Sequence, residues 1–514
     1  MNDQMLAALK LLPFYLSQHV LLSASALGLA LIISMITALA VYSRPRARSI
    51  ALTLARTVQT IPGLAMIALF YPLLLFASGA TMALFGFSLP SFGFLPALLA
   101  LITFAILPIL QGIVLGLTTI DADVIEAADA MGMTRRDRLI LVEAPLAAPI
   151  AMAGLRTAAV WTIGAATLAT PVGQTSLGNY IFTGLQTENW IFVIVGCAAA
   201  ASLALTVDGL LSLFETGFRE RDLKAPALGV FALGLGLYAA LASAPTTGAA
   251  HVIGAKNFSE QFILSELIAD RLRSNGRSVS IKTGLGSAVI FRALQAGDID
   301  VYVDYSGTLW TNVMGRTDTL PKQEMIDQIS RWMEKEGISV LGPLGFENAY
   351  GIVMRRDRAT ELGIKTVREL TSHAAALNFG SDLEFTARPE WRSVRDTYHL
   401  SFREVKTYDP TLMYRALQTG YADVISGFTS DGRIAAMDLV VLEDPENALP
   451  AYDALLLIAK ARKEDDTFVS SLRPMLSRIS VDLMREANYM VDRDSNKQTP
   501  AQAARFLQTK LNGK

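Results

Sequence analysis

Residues Val20–Tyr42, VLLSASALGLALIISMITALAVY, form an apolar run of 23 residues without a charge. A helix of about 20 apolar residues is long enough to cross the hydrocarbon core of a bilayer. A second stretch, Thr57–Ile120, contains no charged residue and has room for two spans with a loop between them. This part of the chain is therefore predicted to be an α-helical membrane domain.

Charge divides the 514 residues into two unlike parts. Residues 1–250 hold 24 charged side chains, and the remaining residues hold 68 of the total of 92. Soluble domains are typically about 25% charged, so only the second part has the composition of an ordinary soluble domain. The net charge of −2 offers no basic face to nucleic acid. The single cysteine, Cys197, excludes an intrachain disulfide, and with four histidines we expect no metal site.

Hydropathy and charge together predict the membrane topology. We predict about six spans, near residues 19–43, 57–77, 94–118, 147–170, 189–213 and 226–245. The positive residues lie in three alternate loops: Arg44, Arg46 and Arg48; Arg135, Arg136 and Arg138; Arg219, Arg221 and Lys224. The other loops, 78–93 and 171–188, contain no Lys or Arg. Positive loops stay in the cytoplasm, so we expect a multi-pass protein of the inner membrane, surrounded by lipid, with its large C-terminal domain on the periplasmic or extracellular side.

Two features of the spans allow more than one interpretation. Residues 226–250, the last span and linker, resemble an internal signal peptide that ends in Ala242-Ser243-Ala244. Pro245 argues against cleavage there, and Gly248–Ala250 is a weaker cleavage site, so we expect an intact tether. The charges of Arg156 and Asp208 lie in or near spans and are functional candidates. The alternative, which we favour, is that each side chain snorkels to the interface.

The cytoplasmic loop at 121–145 has a helix–glycine–helix pattern. Its marked positions are Glu126, Ala127, Ala128, Gly132 and Pro145. We predict a short helix at Val124–Met131, a sharp turn at Gly132 and a second helix capped by Thr134. Two such helices form a rigid knob that a partner can push, whereas the alternative is an ordinary amphipathic loop.

These positions resemble the EAA signature of importer permeases of the ATP-binding cassette (ABC) family, although Val142, Glu143 and Ala144 only partly keep its apolar end. The resemblance implies docking to a separate ABC ATPase dimer. No G-x-x-x-x-G-K-[ST] motif occurs in the chain, so ATP is expected to be used by the partner subunit. We expect a transport subunit without enzymatic activity or bound cofactor. Because six spans do not enclose a pathway, we expect a permease homodimer.

After residue 250 the pattern alternates between strands and helices. The predicted strands are Val252–Ala255, Ser278–Ile281, Val301–Val303, Gly351–Met354, Val424–Ser426 and Leu439–Leu442. Asn257–Glu260 predicts a helix start of the capping-box type. This order favours two α/β lobes with a cleft between them, lined by loops at the strand ends.

Aromatic and charged residues cluster on those loops. They include Lys256, Tyr305–Thr308, Asn348–Tyr350, Glu384–Arg388, Phe428–Arg433 and Pro450–Asp453. Aromatic rings that face one point can hold a quaternary ammonium by cation–π attraction, and a nearby Arg or Lys can hold a carboxylate. Taken singly, each tyrosine is more readily explained by packing.

Five segments make the external part resemble the glycine betaine/carnitine/choline binding-protein family: Lys256–Gln261, Gly297–Tyr302, Asp304–Thr308, Ser430–Ile434 and Asn488–Asp492. The resemblance implies a two-lobed fold of the type II periplasmic-binding-protein kind over 251–514. It implies an aromatic box at Tyr305, Tyr350, Phe428 and Tyr452, and carboxylate-holding residues at Lys256, Thr308 and Arg388, with Asn348 nearby. Phe428 stands where tyrosine is common, and Pro389–Arg392 lacks the Asp-Gly common there. Glycine betaine, choline, carnitine and ergothioneine remain equal candidates.

We therefore predict a permease domain at 1–225 with its coupling loop at 121–145, a last span and linker at 226–250, and a substrate-binding domain at 251–514. Lobe 1 is expected at about 251–345 and 446–514, and lobe 2 at about 346–445. The favoured function is the permease and substrate-binding subunit of an ABC importer for a quaternary ammonium compound. The alternative is a ligand-gated channel or sensor, although no T-V-G-Y-G filter sequence is present.

Overall fold

The computed structural model describes residues 3–87, 89–187, 189–220, 224–243, 251–316, 318, 320–493 and 495–512. The chain divides into two compact units, one formed mainly by residues 1–246 and the other mainly by residues 247–514.

The first unit is helical throughout its described residues. Its helices are α1 (Asp3–Val41), α2 (Pro45–Gln59), α3 (Gly63–Phe85), α4 (Phe94–Thr118), α5 (Ala122–Ala130), α6 (Arg135–Arg138), α7 (Ala144–Ala166), α8 (Gly178–Gln186), α9 (Trp190–Glu220) and α10 (Lys224–Ser243). A π-helical turn, Leu139–Glu143, joins α6 to α7, and a 3₁₀ turn, Thr167–Val172, follows α7.

Five helical segments among the described residues are long and apolar enough to cross a membrane: Gln4–Val41, Gly63–Phe85, Phe94–Thr118, Arg135–Val172 and Trp190–Gly217. The sixth predicted span, 226–245, corresponds to the shorter apolar helix Pro226–Ala242. The proposed cleavage positions at 244–250 lie outside the described residues.

Two predicted span limits are wrong. The first helix begins at Asp3 rather than near residue 19. The polar His19 does not interrupt it, since this side chain has partners inside the unit. Its Nε2 lies 3.0 Å from the carbonyl oxygen of Ile163, and its Nδ1 accepts a hydrogen bond from the backbone N–H of Leu177 at 3.3 Å. The loop expected from residue 78 is instead part of α3, which continues to Phe85 and ends at Gly86 in the left-handed conformation.

Helices α4 and α7 pack with their backbones in close contact. A Cβ atom at Gly154 would lie 2.5 Å from the carbonyl oxygen of Pro108, and one at Gly112 would lie 3.0 Å from the Cα of Gly154. Small residues permit such close approach between membrane helices.

The two charges predicted within the spans form an ion pair. Arg156 on α7 binds Asp208 on α9, and it also binds Glu215 on the same helix. The snorkelling interpretation treats each charge alone and does not describe this arrangement, because the charges are satisfied within the protein.

The second unit contains two mixed sheets. The strands are β1 (His251–Lys256), β2 (Val279–Leu285), β3 (Val301–Tyr305), β4 (Ile338–Glu347), β5 (Tyr350–Arg355), β6 (Asn378–Asp382), β7 (Glu404–Tyr408), β8 (Val424–Phe428), β9 (Leu439–Val441) and β10 (Asp453–Ala459). The first sheet has the order β2-β1-β3-β10-β4 and the second the order β7-β6-β8-β5-β9. In each sheet four strands run in one direction, and one strand, β10 or β5, runs antiparallel between two of them.

Helices pack around these sheets. They are α11 (Ser259–Ser274), α12 (Ser287–Ala296), α13 (Ser306–Thr308), α14 (Lys322–Lys335), α15 (Arg356–Leu362), α16 (Val367–Leu370), α17 (Leu383–Ala387), α18 (Pro389–Tyr398), α19 (Pro410–Thr419), α20 (Gly432–Ala436), α21 (Asp466–Leu472), α22 (Val481–Asp492) and α23 (Pro500–Asn512). The fold class, a helical permease domain joined to a two-lobed α/β domain, is confirmed. All six predicted strands are present, whereas β4, β6, β7 and β10 were missed.

Candidate functional site

The strand ends of the second unit carry the predicted ligand-binding residues. Lys256, Tyr305 and Phe428 are the last residues of β1, β3 and β8. Asn348 and Tyr350 lie where the chain passes from the first sheet to the second. Tyr452 lies directly before β10, where the chain passes back to the first sheet. Arg388 stands between α17 and α18, and Thr308 ends α13. Apart from Phe428, which is half-buried, all of these side chains are buried.

The four predicted box residues belong to one continuous cluster of aromatic rings. The ring centroid of Tyr350 lies 4.7 Å from that of Phe428 and 5.7 Å from that of Tyr452, with the latter pair edge to face. Tyr305 joins the cluster through Phe258, whose ring lies 6.1 Å from that of Tyr305 and stacks at 6.1 Å on that of Phe428. The electron-rich faces of such rings attract a cation.

Two further aromatic residues of this cluster were missed. Phe258 and Phe385 also belong to it, with the ring of Phe385 4.6 Å from that of Tyr350. Both lie in segments that the sequence had marked for other reasons, next to Lys256 and Arg388. Their positions within the cluster depend on contacts between distant parts of the chain.

Arg388 is the cation at the edge of the ring cluster. Its guanidinium carbon lies 5.3 Å from the ring centroid of Tyr350, and its Nη1 lies 3.4 Å from the hydroxyl of Tyr452. The same nitrogen lies 3.5 Å from Oε1 of Glu390. The structure thus brings Arg388 next to the predicted aromatic box. A residue that holds the carboxylate of the same ligand must lie in such a position.

Lys256 has a different environment from Arg388. Its ammonium lies 2.5 Å from Oδ1 of Asp304, which is fully buried. Asp304 also accepts hydrogen bonds from the hydroxyl of Tyr302 at 2.7 Å and from the backbone N–H of Tyr305 at 2.8 Å. The charge of Lys256 is therefore balanced inside the protein, and its role toward a ligand carboxylate stays a prediction. Thr308 is buried on the neighbouring turn.

Glu260 is the centre of a hydrogen-bond network that the sequence did not reveal. Its Oε1 accepts from the hydroxyl of Tyr305 at 2.6 Å and from Nδ2 of Asn348 at 3.0 Å, while Oε2 accepts from Oγ of Ser430 at 2.6 Å and from Nδ2 of Asn488 at 3.0 Å. Burial raises the pKa of this carboxyl, and the four donors oppose that rise.

The capping-box interpretation of this helix start is wrong. The N-cap residue of α11 is Phe258, which makes no side-chain capping bond. Glu260 instead accepts hydrogen bonds from side chains next to both sheets. Tyr305 is the last residue of β3 in the first sheet, and Ser430 follows β8 in the second. This network fixes Tyr305 and Asn348 beside the ring cluster.

The coupling loop of the first unit has the predicted helix–glycine–helix geometry. Helix α5 is followed by Gly132, whose φ is +76°, and Thr134 caps α6 by accepting from the backbone N–H of Asp137 at 3.2 Å. Glu126, Ala127, Gly132 and Pro145 are exposed, and Ala128 is buried.

Arg138 fastens the two short helices of this loop together. Its Nη1 lies 2.5 Å from Oδ1 of Asp129 on α5, and its Nε lies 2.7 Å from Oε1 of the buried Glu143. These ion pairs hold the two short helices in a fixed arrangement with one exposed face. Such an arrangement suits transmission of force to or from a partner.

Two family models match the chain. The model described as the substrate binding domain of ABC-type glycine betaine transport systems matches residues 252–508. The model described as the binding-protein-dependent transport system inner membrane component matches residues 12–220.

Similar proteins cover both units. The ergothioneine transport permease/ergothioneine binding protein EgtU of Helicobacter pylori is 28% identical over 90% of this chain and 84% of that protein. The glycine-betaine-binding protein of Pseudomonas aeruginosa is 30% identical over 56% of this chain and 93% of that protein. The permease protein OpuCB of the glycine betaine/carnitine/choline transport system of Bacillus subtilis is 32% identical over 40% of this chain and 88% of that protein.

Proposed function

Since the chain belongs to the family of binding-protein-dependent ABC importers and joins a permease domain to a glycine betaine-type substrate-binding domain, we propose that it captures and imports a quaternary ammonium compound. The chain is a multi-pass protein of the inner membrane. Its ligand is proposed to be glycine betaine, choline, carnitine or ergothioneine, the compounds named for its relatives.

The observation that carries this proposal is the ring cluster with an arginine at its edge. Tyr350 has other aromatic rings within 4.6 to 5.7 Å and the Arg388 guanidinium carbon at 5.3 Å. A trimethylammonium group donates no hydrogen bond, so it is best held by ring faces. A carboxylate on the same ligand is best held by a guanidinium.

The other proposed parts of the importer rest on the 121–145 loop and on the distribution of positive charge among the loops. We propose that a separate ABC ATPase dimer docks on the exposed face of the 121–145 loop and uses ATP, while this chain binds no cofactor. Two copies of the permease domain, in lipid, would enclose the pathway. The substrate-binding domain is placed on the periplasmic or extracellular side, because the Lys and Arg of the loops favour a cytoplasmic position for the coupling loop. The channel or sensor alternative has no comparable support, since both units match importer components.

The test is calorimetric titration of the full chain in lipid nanodiscs with each of the four compounds. The matched control is 3,3-dimethylbutanol, a neutral isostere of choline that has the same shape at its head but no charge. We expect at least one of the four to bind and the neutral compound to bind far more weakly. Binding of none, or equal binding of choline and its neutral isostere, would overturn the ligand class.

A further inference from the structure

Glu390 is a buried carboxylate at the edge of the ring cluster. It lies in the first turn of α18 and is 2% exposed. Its Oε1 accepts a hydrogen bond from the hydroxyl of Tyr452 and lies 3.2 Å from Oγ1 of Thr311. The nearest cation is Arg388, whose Nη1 lies 3.5 Å from the same oxygen. Both Tyr452 and Arg388 are residues of the candidate site.

The second oxygen of this carboxylate has no donor. Among the residues that the structure describes, Oε2 of Glu390 is buried and has no hydrogen-bond partner. A buried polar atom without a partner has lost its hydration without replacement, which destabilises the folded state, and more so when the atom is charged. Native proteins rarely tolerate that cost unless the atom has a function. The oxygen is therefore ready to accept a hydrogen bond from a ligand in the site.

The four candidate ligands differ in what they can offer this oxygen. Glycine betaine carries a trimethylammonium and a carboxylate, neither of which donates a hydrogen bond. It would leave Oε2 unsatisfied and would add a second anion beside Glu390. Ergothioneine carries the same two groups and also ring N–H donors, while choline and carnitine each carry one hydroxyl. The buried acceptor thus favours a ligand that carries a hydrogen-bond donor over glycine betaine, which carries none.

We propose that Glu390 is a specificity-determining residue that accepts a hydrogen bond from the ligand, so that the site selects quaternary ammonium compounds with a hydrogen-bond donor, such as ergothioneine, over glycine betaine. This inference rests on the proposed function of the site. Arg388 then holds the ligand carboxylate, the rings hold the trimethylammonium, and Glu390 accepts a hydrogen bond from the donor group of the ligand.

The test compares two ligands on matched variants of the full chain in nanodiscs. Glu390→Gln keeps the shape of the side chain and removes its charge. Glu361→Gln is the control, since the Glu361 side chain is 65% exposed. Hydrogen bonds to a charged group are worth about 1.5–3 kcal/mol, so we expect Glu390→Gln to weaken ergothioneine binding about 10- to 100-fold. Glycine betaine affinity should not decrease in Glu390→Gln, because the substitution removes the anion beside its carboxylate, and it should change by less than about threefold in Glu361→Gln.

A ligand-side measurement keeps the inference testable if Glu390→Gln does not fold. Ergothioneine methylated on its ring nitrogens lacks the donors and should bind the unaltered chain at least about tenfold more weakly than ergothioneine. Equal loss of affinity for both ligands in Glu390→Gln, or unchanged binding of the methylated compound, would overturn the role of Glu390. Binding of glycine betaine in preference to ergothioneine would also overturn it and leave the proposed function intact. Failure of every quaternary ammonium compound to bind would remove both.

Discussion

Arg156 on α7 and Asp208 on α9 form a bidentate ion pair in the membrane unit. Nε of Arg156 lies 2.8 Å from Oδ1 of Asp208, and Nη2 lies 2.9 Å from Oδ2. Nη1 of the same guanidinium lies 2.6 Å from Oε2 of Glu215, about two helical turns further along α9. One cation on α7 therefore binds two carboxylates on α9. These polar contacts link two helices that are otherwise largely apolar.

Removal of Arg156 is expected to damage the permease more than removal of Asp208. Arg156→Met leaves two carboxylates without a cation, whereas Asp208→Asn leaves the Arg156–Glu215 pair. The three side chains are 29–35% exposed, so the cost should lie below the roughly 3–5 kcal/mol of breaking a fully buried ion pair from one side. The measurement is the temperature at which the detergent-solubilised chain aggregates. The double variant Arg156→Met/Asp208→Asn should be more stable than Arg156→Met alone, and strictly additive losses would contradict a direct pairing.

Gly154 is expected to tolerate no side chain, in contrast to Gly164 on the same helix. A Cβ at Gly154 would lie 2.5 Å from the Pro108 carbonyl oxygen, whereas nothing lies within 4 Å of one at Gly164. Gly154→Ala should destabilise the α4–α7 contact by about 1–3 kcal/mol, the usual cost of overpacking. Gly164→Ala should be neutral. Equal thermal stability of the two variants in detergent would show that the contact is looser than described.

Gly132 is expected to control coupling rather than ligand binding. Its φ of +76° is left-handed, a conformation that costs other residues about 1–2 kcal/mol, with Asn the best tolerated. Gly132→Val should therefore lower uptake of the radiolabelled ligand strongly, and Gly132→Asn should retain most of it. Ligand affinity should be unchanged in both, because the substitution lies in the permease domain. Full transport by Gly132→Val would contradict a coupling role for this turn.

Tyr350 is expected to contribute to binding through its ring. Tyr350→Phe keeps the ring and should change ligand affinity by less than about threefold. Tyr350→Ala removes the central ring of the cluster and should cost at least about 1.4 kcal/mol, or tenfold in affinity. Tyr421→Ala is the control, because Tyr421 is 72% exposed. Calorimetry on the full chain gives all three values, and an unaffected Tyr350→Ala would remove this residue from the site.

Asp492 is expected to make the second unit less stable at alkaline pH. Burial raises the pKa of this carboxyl to about 7, with Arg433 opposing the rise and Asp431 adding to it. A carboxyl whose pKa is higher in the folded state than in the unfolded state favours folding at low pH. That contribution is lost as the pH rises through about 7. Each unit of pKa difference corresponds to about 1.4 kcal/mol.

The measurement is urea unfolding of the full chain, followed by tryptophan fluorescence at pH 5 and pH 8. Asp492→Asn should reduce the loss of unfolding free energy between these two pH values. The exposed Asp482 lies on the same helix, with its side chain 86% exposed, so Asp482→Asn should leave the loss nearly unchanged. Identical pH dependence in the unaltered chain and Asp492→Asn would contradict the assignment.

The sequence by itself determined the features that depend on local pattern. Uncharged runs of about 20 residues mark membrane helices whatever their neighbours are, because each must satisfy its backbone hydrogen bonds internally. The helix–Gly132–helix loop was predictable for the same reason, since a left-handed turn and a Thr134 cap are local. Six of the strands likewise followed from alternation along the chain, whereas the site roles of Tyr350, Arg388 and Tyr452 were implied by the family resemblance.

Only the tertiary structure decided which distant groups share a site. Glu260 accepts from Ser430 and Asn488, which lie 170 and 228 residues away along the chain. Arg156 meets Asp208 across 52 residues, and Tyr452 meets Glu390 across 62. A hydrogen bond requires donor and acceptor within about 3 Å and in line, a condition set by how strands and helices pack. Spacing along the chain carries no such information, so the buried carboxylates of Glu260 and Glu390 became visible only in the folded molecule.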